Sequence, residues 1–463
     1  MKKTFFLCVS IFAFALPFFG QGTGDAALRR VTAQDAAVRT ADRKLPLLTV
    51  DEHLYRADVY MSNRHFAEAR EHWQKILDHY PANTSAMPRA LFGFGRSFMW
   101  EREYQKSVDW FDKLTKDYLS TKEGREGLSF KGASYVRLGK NAEAAKTYEQ
   151  YTVMFPNGER IESAHLNIID ALREAKRYDE AVLWVNKTRA RFAGKATETN
   201  ALHGRLRMEI HRGNWTEAVR TADEMLAANR FASSMSTADE IRYLKAMSLE
   251  KLNRTADAVA AYLSIGNAIS SYWGGLAEER FAAINRNDSQ IRKTSSVTAK
   301  YYTDYPVLYR AELLRAAKTR NIDPRFVLAI MKQESSFRAN AKSPAAARGL
   351  LQLVFDTALK YNKKAGYPTL APDDLYQPSV NIAIGTAYIA ALKDEFGGLY
   401  EAIAASYNAG EDNAARWLGR TKPRDAGVFT AEVGFAETKN YVYKVMGNYR
   451  VYRELYTEDL VRK

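Results

Sequence analysis

Between residues 50 and 285 the alternation of apolar and polar positions returns at a nearly constant interval. The recurring stretch opens as "FAEAREHW" at Phe66, "YQKSVDWF" at Tyr104, "NAEAAKTY" at Asn141, "YDEAVLWV" at Tyr178, "WTEAVRTA" at Trp215 and "TADAVAAY" at Thr255. Successive starts are 38, 37, 37, 37 and 40 residues apart. In each unit an amphipathic stretch such as "GASYVRLGK" comes first, then a short turn, then the recurring segment. Ala69, Ala144, Ala181, Ala218 and Ala258 share one position in the pattern; small residues there let paired helices pack closely. Two helices cannot bury their apolar faces alone, so stacked units must share a core. The pattern predicts an all-α solenoid over residues 50–285.

These units resemble tetratricopeptide repeats, lengthened slightly from that family's period near 34 residues. The pattern stops in "NRNDSQIRKTSSVTAKYY", a polar stretch without apolar periodicity, so residues 286–302 read as a linker. Residues 303–463 read as a second all-helical domain, with no β-pattern. Its helices are expected over "PVLYRAELLRAAKTRN", "PRFVLAIMKQE", "SPAAARGLLQLVFDTALKY", "NIAIGTAYIAALKDEFGG", "LYEAIAASYNAGEDNAARWLG" and "ETKNYVYKVMGNYRVYRELY". The second of these has a good start, with Asp323 as N-cap and Pro324 in the first turn, where its missing N–H costs nothing. Phe326, Val327, Ile330 and Glu334 fall on one stripe of its 3.6-residue period, opposite Arg325 and Lys332. A carboxylate therefore sits on an apolar face, just where the chain breaks into Ser-Ser-Phe.

Composition narrows the context. A hydrophobic fraction of 46% with 26% charged residues is that of a globular chain. The formal charge of +14 suits either an anionic partner or a plain solvated surface. No nucleic-acid motif accompanies it, and no nucleic-acid partner is expected. Lys2 and Lys3 precede the apolar run "FFLCVSIFAFALPFF", followed by Gly20, Gly22 and Gly24. This reads as a signal peptide over residues 1–22, then a linker over 23–49, and it directs the protein to the periplasm or cell envelope. An uncleaved membrane anchor is the alternative; no later stretch could span a bilayer. The one cysteine, Cys8, lies inside this run, so disulfide and thiol chemistry are not expected of the mature chain.

All seven histidines lie at or before His211, which removes Ser-His, Cys-His and His-based zinc chemistry from the C-terminal domain. His65, His72 and His79 are seven residues apart, about 10 Å on a helix, too far for one metal, and read as face residues of the first repeat. No phosphate-binding loop is present, and neither metal nor cofactor is expected. What remains is carboxylate, hydroxyl, amide and backbone chemistry. A glutamate held against Phe326, Val327 and Ile330 loses hydration, which raises its pKa and lets it donate a proton near neutrality, as glycoside cleavage demands. The alternative is a boundary glutamate that pairs with Arg or Lys.

Four stretches then stand in order: "QESSFRANAKSPAAARGLLQL", "DDLYQPSVNIAIGTAYIAALKDEFGG", "AIAASYNAG" and "GFAETKNYVYKVMGNYRVY". Together they resemble the catalytic domain of soluble lytic transglycosylases, lysozyme-like enzymes that cut the glycan strands of peptidoglycan. The resemblance spans nearly all of residues 305–455, and a signal peptide followed by a helical solenoid is also similar to that family. It implies that Glu334 in "QESSF" is the single acid/base. It further implies that Ser343, Gln352, Tyr407, Asn408 and Glu437 line the substrate site. Each of these also has a plainer reading: Ser343 as a helix N-cap before Pro344, Gln352 and Asn408 as loop anchors, Tyr407 as a core aromatic, Glu437 at a helix start. Two positions depart from the family: Ala346 stands where glycine is usual and Val354 where methionine is usual. The implied reaction forms a 1,6-anhydromuramoyl end without water. Hydrolysis of goose-type-lysozyme kind, or a non-catalytic envelope scaffold, are the alternatives. The solenoid implies contact with glycan strands or envelope proteins.

Overall fold

The structure, a computed structural model, describes residues 24–284 and 299–463. The expected signal peptide, Cys8 and most of the expected 286–302 linker lie outside the described residues. Among them the fold is helical, with isolated β-bridges and no strands. The residues group into two compact units, one of residues up to Trp184 with Pro344–Ala346, the other of Val185–Ser343 and Ala347–Lys463. The division falls inside the repeat array, upstream of the linker that the sequence suggests.

In the first unit α1 (Asp25–Val38) lies within the segment expected to be an N-terminal linker. Helical pairs follow: α2 (Val50–Ser62) with α3 (Phe66–His79), α4 (Ala86–Trp100) with α5 (Tyr104–Tyr118), α6 (Lys122–Arg137) with α7 (Asn141–Met154), and α8 (Ile161–Glu174) with α9 (Tyr178–Arg191), whose residues from Val185 on fall in the second unit. The second helix of every pair starts on the residue that opens the sequence repeat. Its recurrent alanines are fully buried, as expected for a seam where backbones approach closely. Where the second repeat has Ser107 instead, the hydroxyl donates to the Gly95 carbonyl at 2.8 Å, so the substitution leaves no orphan polar group. Gly95 itself has no room for a side chain, because a Cβ would meet the Phe111 ring at 2.5 Å.

One expectation fails here. His72 is not a face residue; it is 1% exposed and lies in a buried polar chain. The Leu48 N–H donates to His53 Nε2 at 3.0 Å, the Nδ1 atoms of His53 and His72 are 2.9 Å apart, and His72 Nε2 faces Asp35 at 3.0 Å. Asp35 also accepts from Arg56 at 2.5 Å and Tyr60 at 2.7 Å. Its position on α1 explains why a helix forms before the repeats begin: α1 supplies the counter-charge for the first pair.

The second unit contains the last repeats, α10 (Ala196–Arg212) with α11 (Trp215–Ala228) and α12 (Ala238–Lys251) with α13 (Thr255–Leu263), then α14 (Tyr272–Ile284). The C-terminal helices follow: α15 (Ala299–Asp304), α16 (Arg310–Lys318), α17 (Pro324–Ser335), α18 (Phe355–Tyr361), α19 (Pro378–Glu395), α20 (Tyr400–Ala409), α21 (Glu411–Arg420), α22 (Ala426–Glu432) and α23 (Ala436–Leu455). The long stretch "LYEAIAASYNAGEDNAARWLG" is two helices, broken at Gly410, whose φ of 85° ends α20. Residues 343–353 of "SPAAARGLLQLVFDTALKY" are not helical; Arg348 pairs in isolated bridges with Lys342 and Leu353. The alanine-rich composition suggested helix there, but Ala346, Gly349 and Gln352 all take positive φ, which no helix accommodates.

Candidate active site

α17 carries Glu334 in its last turn. Asp323 caps the helix by accepting from the Arg325 N–H at 2.9 Å, and Pro324 occupies the first position. The single apolar stripe expected of this helix is absent, because residues 324–331 are buried all round. Arg325 is inside as well, its guanidinium donating to Asp323 at 2.6 Å and to Glu458 at 3.1 Å, so its charge is compensated within the core. Tyr449 donates to the same Asp323 carboxylate at 2.8 Å, pinning the helix start to α23. The other end stops through consecutive left-handed residues, Ser336 (φ 50°) and Phe337 (φ 64°). Glu334 therefore sits at a rigid, abruptly terminated helix end. It keeps partial solvent access although protein surrounds it.

That environment sets its chemistry. Burial, reinforced by the charge of Glu437, pushes the Glu334 carboxyl up to about 7, against the pull of one hydrogen bond. That bond is donated by the Tyr441 hydroxyl to Glu334 Oε1 at 2.6 Å. Burial and the nearby glutamate hold the hydroxyls of Tyr441 and Tyr407 well above the ordinary tyrosine range, so both remain proton donors. Glu437, one turn before Tyr441 on α23, is itself pushed up by burial. Among the described residues no arginine or lysine pairs with Glu334, which argues against the boundary-ion-pair reading. A raised pKa is not diagnostic by itself: Glu401 is also pushed up to about 7, chiefly by burial. Glu401 is closed off at 5% exposure, whereas Glu334 is reachable.

The other residues singled out from the sequence divide into two groups. Tyr407 and Glu437 join Glu334 at the site. Ser343 and Gln352 shape the loop that follows α17: the Ser343 hydroxyl accepts from the Ala347 N–H at 3.1 Å, capping a turn where an N-capped helix was expected. Gln352 donates to the carbonyls of Ala341 at 3.0 Å and Gly349 at 2.8 Å. Tyr407 belongs to this work too, donating to the Leu351 carbonyl at 2.7 Å. Asn408 accepts from Thr438 at 2.6 Å and so ties the end of α20 to α23.

Three residues escaped the sequence reading. Tyr441 looks like a core aromatic until its one-turn spacing from Glu437 is noticed. Ser335 donates to the Leu350 carbonyl at 2.7 Å and fastens the loop to the helix end. Asn381, fully buried, accepts from the Leu351 N–H and donates to the Arg348 and Leu375 carbonyls. Gly349 makes that approach possible, since a Cβ there would lie 2.1 Å from the Leu375 oxygen. Among the described residues, no group of three His, Cys, Asp or Glu side chains is placed to hold a metal.

The helical elements thus present a desolvated glutamate at a broken helix end, faced by tyrosines. Residues 313–429 match the transglycosylase SLT domain, and residues 54–118 and 131–196 match the tetratricopeptide repeat. Over 207 residues the chain is 29% identical to the soluble lytic murein transglycosylase of Salmonella typhimurium, covering 42% of this chain and 32% of that protein. It is 32% identical to the membrane-bound lytic murein transglycosylase C of Salmonella arizonae, covering 31% of this chain and 46% of the relative. The chain thus spans about a third of the length of the soluble relative it matches. A crystal structure of an inactive mutant of the lytic transglycosylase Slt from Pseudomonas aeruginosa has the same fold. It aligns with a TM-score of 0.50 at 16% identity over 92% of this chain and 84% of that one.

Proposed function

We propose that this protein is a lytic transglycosylase acting on the β-1,4 bond between N-acetylmuramic acid and N-acetylglucosamine in peptidoglycan. The observation that carries the reading is Glu334, a half-buried residue whose carboxyl is pushed up to about 7 and accepts from the Tyr441 hydroxyl. Protonated near neutrality, it donates to the glycosidic oxygen as the bond from C1 breaks. The muramic acetamide meets the developing positive charge. The carboxylate left behind is stabilised by the Tyr441 hydroxyl until it takes the proton of the C6 hydroxyl, whose oxygen then bonds to C1. One carboxylate suffices because the substrate supplies both nucleophiles. Ser343, Gln352, Tyr407, Asn408 and Glu437 would line or shape the groove, and the repeats would contact glycan strands or envelope proteins. This substrate places the protein in the periplasm or cell envelope, and no helix among the described residues is long and apolar enough to cross a membrane.

Hydrolysis is the second reading, favoured by Glu437, a further carboxylate close enough to raise the pKa of Glu334. Mass spectrometry of digested sacculi separates the two. Anhydromuramoyl ends are expected, and reducing ends would replace this reading with a muramidase. Release of nothing by the wild type would leave a scaffold. Glu334→Gln should abolish digestion with the fold intact.

A further inference from the structure

α23 has two working faces. Glu437 and Tyr441 are four residues apart and share the face turned to Glu334. Lys439 and Tyr443 are also four residues apart, about 200° round the helix from Glu437 and Tyr441. That second face closes on Glu240 of α12, in the last repeat. Lys439 Nζ donates to Glu240 Oε1 at 2.9 Å and Tyr443 donates to Oε2 at 2.7 Å. His203 of α10 lies 2.7 Å from Oε1. Glu240, Lys439 and His203 are each at most 2% exposed. The seam is close along its length: a Cβ on Gly447 of α23 would lie 2.4 Å from the Ser270 carbonyl.

We propose that Glu240 and Lys439 are positioning residues for the proton donor: by clamping the rear face of α23 to the repeats, they fix the helix rotation that places the Tyr441 hydroxyl on Glu334. The proposal rests on the function read for that site. A buried ion pair is weak evidence for stability, since apolar residues of similar size serve as well, but it specifies register strongly. Two side chains one turn apart, each bonded to a different oxygen of one carboxylate, set both the rotation and the axial position of α23. Two residues along, the same helix carries Tyr441, whose hydroxyl is the one hydrogen-bond donor to the Glu334 carboxylate among the described residues. A helix turned by some tens of degrees could not make that bond.

The test is Lys439→Met, which leaves Glu240 with Tyr443 and His203, and separately Tyr443→Phe, which leaves it with Lys439 and His203. In each full-length variant the titration of Glu334 is followed by carboxyl ¹³C NMR, assigned by its loss in Glu334→Gln. Loosening Tyr441 removes stabilisation of the carboxylate, so the Glu334 pKa should rise by about 0.5–1 unit in either variant. No further rise should follow when the change is made in a Tyr441→Phe background. An unshifted titration in a folded variant, or a shift that adds to that of Tyr441→Phe, overturns the proposal. If Lys439→Met does not fold, Tyr443→Phe decides alone. The titration needs no turnover, so a protein inactive on sacculi would refute the enzymatic reading while leaving the coupling measurable.

Discussion

Glu334 and Glu240 are the same side chain in two deep environments, and their carboxyls are displaced in opposite directions from the ordinary value. Burial drives both upward. At Glu240 the adjacent Lys439 and His203 overrule it and hold the carboxyl at about 2, fully ionised. At Glu334 the second charge nearby is another glutamate, and the carboxyl stays at about 7. Desolvation alone therefore does not make an acid; desolvation without a cation does. One glutamate is an ionised tether and the other, on the function proposed above, serves as a proton donor, because of what stands within a few ångströms. Both lie on helices that pack against α23, so one helix separates the two.

The comparison breaks most visibly at Glu334. Glu334→Gln keeps the shape and removes the transferable proton, and turnover on purified sacculi should fall by at least about 10³-fold. At Glu240 a different loss is expected. Glu240→Leu strands Lys439 as a buried cation and should destabilise the protein by about 3–5 kcal/mol in urea denaturation. The same measurement sharpens the contrast at the first site. The folded pKa of Glu334 lies above its unfolded value of 4.5, so its stabilising contribution is complete below pH 4.5 and is lost as pH rises through about 7. Glu334→Gln should thus equal wild type in stability near pH 4 and exceed it by up to about 3 kcal/mol at pH 8. Wild-type activity should decline over that same rise, as the donor ionises. The smallest effect is expected at Ala346, whose φ of 60° is left-handed. Ala346→Gly should stabilise by about 1 kcal/mol, since glycine takes that conformation without steric cost.

How far these features could be read from the chain differs by element. The repeats were legible to the residue, because the seam alanines and the aromatic that opens α3, α5, α9 and α11 are local signals. Glu334 was legible as an anomaly in a periodic pattern. Its neighbours were harder. Ser335, Asn381 and Tyr441 act through contacts with residues 15, 30 and 107 positions away, and no periodicity encodes such partners. The loop over 343–353 misled because alanine and leucine favour helix, whereas Asn381 and Gly349 impose a backbone that helical propensity cannot oppose. α17 misled in another way: Arg325 marked a solvent face in the pattern, yet Asp323, two residues earlier, takes its charge inside.

The buried chain at the first repeat has a direction. Leu48 N–H must donate, so neutral His53 is bare at Nε2 and carries its proton on Nδ1. That proton points at a bare Nδ1 of His72, whose own proton lies on Nε2, toward Asp35. Every link runs the same way. Burial, with the charges of Arg56 and Lys75 behind it, holds His53 at about 4 despite Glu52. Asp35 is held at about 2, as His72, Tyr60 and Arg56 outweigh burial. Both contributions are present at neutrality and fade on acidification, His53 between about 6.5 and 4, Asp35 between 3.8 and about 2. Glu334 fades in the other direction. Acid therefore acts on the first helical pair and alkali on the surroundings of Glu334, and between about pH 4.5 and 6.5 the two trends offset one another.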